Sequence, residues 1–372
     1  MIPFEDYFDL EEGVYYLNHA AVSPWPIRTT EVVTQFAMAN QRRGSLEYLQ
    51  WLETEKTLRK QLQRHIQARS EDEIALVKNT SEGLSIIAYG LDWQQGDNVV
   101  GTDQEFPSNR IVWESLASKG VTFRPAPLTQ HDTPEEAIFA QVDENTRMIA
   151  ISSVEYGSGL RLDLETIGRY CQQHNILFCV DAIQSIGALA MDVEKFHIDF
   201  LAADGHKWMM GPEGLGVFYC RKERMPMLHL NQYGWHMVEQ VGNFDRTEWE
   251  IAASARRFEC GSPNMVAVHA LHASLSIIDD LGIEAIETQV LTNSEMLFAM
   301  FNANNHYSVL TPQNEGRYAG IVTVKPLKKS SQHFYEQLTQ AGIFCAPRGG
   351  GVRFSPHFYT PSSVLEYLQQ QL

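Results

Sequence analysis

The feature that most constrains the fold is a repeated alternation in the middle of the chain. Short, almost uninterrupted apolar runs are separated by stretches with helical periodicity. The runs Glu73–Val77, Asn98–Gly101, Met148–Ser152, Ile176–Val180, Phe200–Ala203 and Leu215–Cys220 read as strands. Between them Ser81–Gly90, Ser108–Ser118 and Leu164–His174 carry apolar residues at helical spacing. Strands that are apolar on both faces must be covered on both faces. This β-α-β rhythm therefore predicts an α/β chain with a mostly parallel sheet between helical layers.

The pattern differs at either end of this stretch. Thr29–Gln67 reads as helix, broken near Arg43-Gly44. From Asn264 the chain predicts two long amphipathic helices, Val266–Leu281 and Ile283–Asn302. Strands follow at Gly320–Val324 and Gly351–Ser355, and helices at Gln332–Ala341 and Ser362–Leu372. The expected division is a large domain over residues 16–264 and a smaller α+β domain over 265–372, with residues 1–15 packing on the smaller one.

In an open parallel sheet, ligands bind beyond the carboxyl ends of the strands. Two strand ends here are rich in polar residues. One reads Val180-Asp181-Ala182-Ile183-Gln184, the other Ala203-Asp204-Gly205-His206-Lys207-Trp208. A carboxylate after one strand and a lysine after another suit a pyridine cofactor. The acid pairs with the ring nitrogen and the amine joins the aldehyde. Burial lowers a lysine's pKa toward its nucleophilic form. Either residue alone reads equally as a turn former or a surface charge; their joint placement is the specific signal.

These segments resemble the class V aminotransferases, a group that includes cysteine desulfurases, kynureninase and isopenicillin N epimerase-like proteins. The resemblance extends to Tyr16–Ala21, Asn79–Gly83, Arg257–Asn264 and Val352–Tyr359. It implies a pyridoxal 5′-phosphate (PLP) transferase of fold type I with a seven-stranded sheet. It further implies that Lys207 holds PLP as a Schiff base and carries protons. Asp181 would face the pyridine nitrogen and Gln184 the phenolic oxygen. Thr80 and Ser81 would hold the phosphate at a helix N-terminus, with Asp204 and His206 beside it and Phe106 stacked on the ring. Ser262 would reach the phosphate of a second copy, which implies a homodimer. Arg353 would bind the carboxylate of an amino-acid substrate, with Asn18 and His19 at the mouth. Arg348 reads as a second anion contact or a surface residue.

Three positions depart from the desulfurase pattern. Phe106 stands where desulfurases have a histidine, and it can stack but cannot transfer a proton. Asp204 stands where they have a phosphate-binding serine. The interval Arg348–Arg353 lacks their nucleophilic cysteine; Cys345 just before it reads as a buried core thiol. The leading expectation is amino-group transfer. The alternatives are cysteine or cystine C–S cleavage by β-elimination, then epimerisation, and, outside enzymes, a non-catalytic PLP-binding protein.

Composition narrows the partners. A formal charge of −17, from 46 acidic and 29 basic residues, disfavours a nucleic-acid partner. No run approaches the ~18 apolar residues of a membrane span. The five scattered cysteines form no C-x-x-C pair and predict free thiols without a zinc site. With no secretory signal apparent in the opening residues, the expected location is the cytoplasm.

Overall fold

The computed structural model describes residues 7–372. Its first elements are a two-residue strand β1 (Tyr15–Tyr16) and helices α1 (Ile27–Arg43) and α2 (Tyr48–His65). The expected break at Arg43-Gly44 is present, and Gly44 takes a φ of 57° there. The alternating stretch then runs β2 (Ile74–Val77), α3 (Thr80–Gly90), β3 (Asn98–Thr102), α4 (Pro107–Glu114), β4 (Thr122–Ala126) and α5 (Pro134–Phe139). It continues with β5 (Thr146–Ser152), α6 (Leu164–His174), β6 (Leu177–Asp181), β7 (Phe200–Asp204) and β8 (Gly216–Cys220).

These strands form one seven-stranded sheet in the order β2-β8-β7-β6-β5-β3-β4. Only β8 runs against its neighbours, β2 and β7. Alternate residues of each strand enter different cores. Ile149, Phe178, Val180 and Leu201 pack toward α2 and α6. Met148, Cys179, Phe200 and Ala202 pack toward α3 and α4. The fold is thus α/β with a mostly parallel sheet covered on both faces, as expected.

The sequence reading missed β4 and α5. Thr-Phe-Arg-Pro-Ala has no apolar run, because β4 is the edge strand and is half exposed. An edge tolerates proline and charge that a central strand does not. α5 is only six residues long and is fixed by a Thr133/Glu136 capping box rather than by periodicity.

The remaining elements are α7 (Met265–Leu281), α8 (Ile283–Asn302), β9 (Tyr307–Val309), β10 (Val322–Pro326), α9 (Ser331–Gln340), β11 (Ile343–Phe344), β12 (Ala346–Arg348), β13 (Gly351–Phe354) and α10 (Ser362–Gln370). β12-β13-β10-β9 make an antiparallel sheet. A separate core joins it to α8, α9 and α10 through Phe301, Phe334, Phe354 and Leu368. α7 packs instead with the sheet's helical layer: Leu271 and Leu275 share a core with Leu58 and Leu62 of α2. Ser274 on α7 meets Thr29 of α1 at 2.7 Å. The change of pattern at Asn264 is therefore not a change of packing layer. Of the segment expected to pack on the small domain, residues 1–6 lie outside the described residues. β1 pairs in parallel with β11 of the later sheet region.

Candidate active site

The parallel strands end along one edge of the sheet, and the polar residues of that edge surround one cavity of about 330 Å³. Such a volume suits a small cofactor with substrate. α3 comes close to this edge because residue 83 is glycine. A Cβ there would lie 2.9 Å from the Cβ of Ala202 on β7. The close packing brings the start of α3 to the cavity, where Thr80 and Ser81 line it. Asn79 caps the helix by accepting from Glu82 N–H, so the earlier N–H groups face outward for an anion. The Thr80 oxygen accepts from Asp204 N–H at 3.0 Å, leaving its own hydrogen to donate.

Lys207 and Asp181 form the centre of the site. Asp181 ends β6 and is 2% exposed; Lys207 follows β7 and is 9% exposed. Burial pushes the Asp181 carboxyl up to about 6, against the pull of Ile183 N–H and Lys207. Burial also lowers the Lys207 ammonium to about 8; Arg353 adds to that and Asp181 opposes it. The lysine loop is held from behind by Ser23, whose hydroxyl donates to the Lys207 carbonyl at 2.6 Å. Phe106 lies across from the amine, with its ring centre 5.7 Å from Nζ. The edge of the Tyr156 ring meets it at 5.1 Å.

Gln184 has a fixed orientation. Trp208 Nε1–H can only donate, and it does so to Gln184 Oε1 at 2.9 Å. The amide nitrogen must then donate: one hydrogen goes to Ala20 C=O at 3.1 Å, and the second remains for the cavity that the residue lines. His206 Nδ1 sits 3.0 Å from Asp204 Oδ1, off hydrogen-bond alignment. The acid at this position thus lies against the imidazole while still lining the cavity.

Arg353, on β13, crosses into the same cavity and is 3% exposed. It donates to Tyr156 C=O at 2.8 Å and weakly to Asn18 Oδ1 at 3.5 Å, and its Nε has no partner among the described residues. Burial without a carboxylate lowers the guanidinium to about 10. A planar fork with unmatched charge is suited to an incoming carboxylate. Arg348 lines the mouth and is exposed.

Two residues expected at the mouth are displaced from it. His19 does not face the substrate mouth. It is fully buried, with Nδ1–H donating to Ser355 C=O at 2.7 Å and Nε2 accepting from the Tyr359 hydroxyl. Burial lowers it to about 4, so it is a neutral structural group. Asn18 touches Arg353 rather than forming the mouth itself. Ser262 is exposed and does not line the cavity of its own chain. Cys345 is buried away from the cavity, its thiol pushed up to about 12. Among the described residues no cysteine lines the cavity. Ser152, Tyr156 and Trp208 went unrecognised in the sequence. Ser152, at the carboxyl end of β5, obeyed the same strand-end rule as Asp181.

The match to the class-V aminotransferase model spans residues 15–355. This chain belongs to the class V aminotransferase family. Its members are PLP-dependent enzymes of fold type I, and the donor set fits that cofactor: a buried lysine, a facing acid and a helix N-terminus. The chain is 30% identical to a probable cysteine desulfurase of Pyrococcus abyssi (strain GE5 / Orsay), with 96% of this chain and 93% of that protein covered. Two solved structures of C-DES superpose with TM-scores of 0.88. One is a mutant with glycine covalently linked to its PLP cofactor, 23% identical over 97% of this chain and 96% of that one. The other is a cystine C–S lyase bound to its reaction product cysteine persulfide, 24% identical over 97% of each chain.

Proposed function

We propose that this protein cleaves the C–S bond of cysteine or cystine by PLP-dependent β-elimination, without a protein thiol. One observation carries this reading. The chain resembles enzymes named for cysteine and cystine chemistry, yet no described cysteine lines its cavity. The sulfur would then leave on a small molecule. The relatives favour this alternative over amino-group transfer, the leading expectation from sequence.

PLP, when bound, withdraws electrons from the bonds at the α-carbon of an attached amino acid. The chain's own groups have separable tasks. Lys207 Nζ, poised near pH 8, takes and returns a proton within the neutral range. Asp181 would face the ring nitrogen. Thr80, Ser81 and the first N–H groups of α3 would hold the phosphate, with His206 and Asp204 alongside. Gln184 would offer its free N–H to the ring oxygen. Arg353 would bind and orient the α-carboxylate of the substrate. Phe106 and Tyr156 would cover the site on one side. The proposal includes a homodimer in which the exposed Ser262 reaches the second copy's phosphate.

A panel of amino acids incubated with the PLP-loaded protein tests the reaction. The expected result is pyruvate and ammonia from cystine or cysteine, with sulfur released as sulfide or a small-molecule persulfide. A keto acid with the amine form of the cofactor, and no released sulfur, would overturn it in favour of transamination. Borohydride should add cofactor mass to the peptide that bears Lys207.

A further inference from the structure

Behind the cavity wall, next to Phe106 in the chain, two acids are buried without lining the cavity themselves. Glu105 is 7% exposed and Glu155 0%. The charged groups facing the pair are Asp103 and Asp181, both of the same sign. Two adjacent buried carboxylates in such surroundings cannot both be ionised cheaply. Burial raises both, Glu105 to about 7 and Glu155 well above the usual carboxyl range.

Donor counts tell the two apart. Glu105 accepts from Ser152 N–H at 2.9 Å, Ser152 Oγ at 2.7 Å, Asn109 Nδ2 at 2.9 Å and Thr102 Oγ1 at 3.3 Å. Four donors suit a carboxylate. Glu155 meets one group, Thr102 Oγ1 at 2.6 Å, and its Oε2 is buried without a partner. One contact suits a neutral acid. Thr102 has one hydrogen and two lone pairs, and one lone pair already accepts from Gln104 N–H at 3.2 Å. If Thr102 donated to an ionised Glu155, a bare buried charge would remain on Oε2. If Glu155 donates to Thr102, the threonine hydrogen is free for Glu105, and what stays unpartnered on Oε2 is a neutral carbonyl oxygen instead of a charge.

We propose that Glu155 is a positioning residue: as a neutral acid it donates to Thr102, Thr102 donates to Glu105, and Glu105 as a carboxylate fixes Ser152 and, one residue on, Phe106. Both of these last residues line the cavity. The relay holds one negative charge, not two, next to Asp181. This inference is independent of which bond the enzyme breaks.

Infrared spectroscopy of the cofactor-free protein tests it near pH 8.5, above the values of about 7 for Glu105 and about 6 for Asp181. A protonated-carboxyl stretch is expected, and it should shift when glutamate is labelled with ¹³C. The band should vanish in Glu155→Gln, a neutral isostere that can still donate to Thr102. That variant should also keep the wild-type melting temperature and PLP affinity. In Thr102→Val, Glu105 loses a donor, so its protonated band should appear at a higher pH than in the wild type, where it appears near neutrality. No labelled band in the wild type, or a band that survives in Glu155→Gln, would overturn the proposal. So would a loss of PLP affinity of about tenfold or more in Glu155→Gln. If that variant does not fold, the labelled wild-type spectrum still decides the protonation state.

Discussion

Two arginines largely withdrawn from solvent in this protein have opposite surroundings. Arg59 on α2 forms ion pairs with Glu259 and Glu55, both at 2.5 Å, and reaches Glu259 a second time at 2.8 Å. It also donates to Ile74 C=O. These carboxylates outweigh the burial penalty and raise its pKa. Arg353 has only carbonyl and amide oxygens and a bare Nε, and its pKa falls to about 10. Both have been taken out of water. One is matched within the chain and ties α2 to the segment after β8. The other is left unmatched at a cavity. A scaffold neutralises its buried charges, whereas a binding site leaves one to be neutralised by its ligand.

The contrast can be broken by exchanging the readouts. Arg353→Gln should lower kcat/KM for the amino-acid substrate by roughly 10²–10³-fold, the scale of losing a charge-assisted fork. Its unfolding midpoint should not fall. A large loss of stability with unchanged kinetics would make Arg353 scaffold. Arg59→Ala should do the reverse. Removing one member of a buried ionic cluster should cost about 3–5 kcal/mol of folding stability, measured by urea denaturation. Activity per folded molecule should be retained.

Lys207 lies between these cases, since Asp181 matches its charge only in part. Capture of PLP requires the neutral amine, whose fraction grows as pH rises toward the value of about 8. The stopped-flow rate should therefore climb about tenfold per pH unit below that value and level off above it. A flat profile would mean that the amine is already neutral well below pH 8. The smallest effect is expected at Cys345, which lies in a core and not at the cavity. Cys345→Ser should leave turnover within about twofold, as befits an inert buried thiol. A collapse of activity in that folded variant would return the sulfur chemistry to a protein thiol.

The parts legible in the sequence were those specified locally. Central strands such as Leu177–Asp181 are apolar up to their last residue because both faces are covered, and that is visible without a structure. β4 was not, because an edge strand answers to solvent as much as to core. The same division runs through the site. Asp181, Gln184, Asp204, His206 and Lys207 stand at strand ends, and a topological rule brings them together. Arg353 was placed only by resemblance, and the structure brings it to the same cavity. His19 looked equally polar, but its partners Ser355 and Tyr359 lie 336 and 340 residues away. No local pattern reports that both ring nitrogens are already occupied. Glu155 was illegible for the same reason: its meaning lies in Glu105 and in Thr102, which stands 53 residues earlier.

The parallel pairing of Tyr15-Tyr16 with Ile343-Phe344, continued by the Asn18–Ser355 bridge, has a consequence for biosynthesis. The early strand cannot find its neighbour until the ribosome has added the 328 residues that separate Tyr15 from Ile343. Arg353, the residue left to receive the ligand's charge, emerges in the same late segment as that neighbour. Closing so long a loop comes late in folding. The α/β core can therefore consolidate during translation while the catalytic pocket remains open. A nascent or prematurely terminated polypeptide would carry Lys207 and α3 but not Arg353.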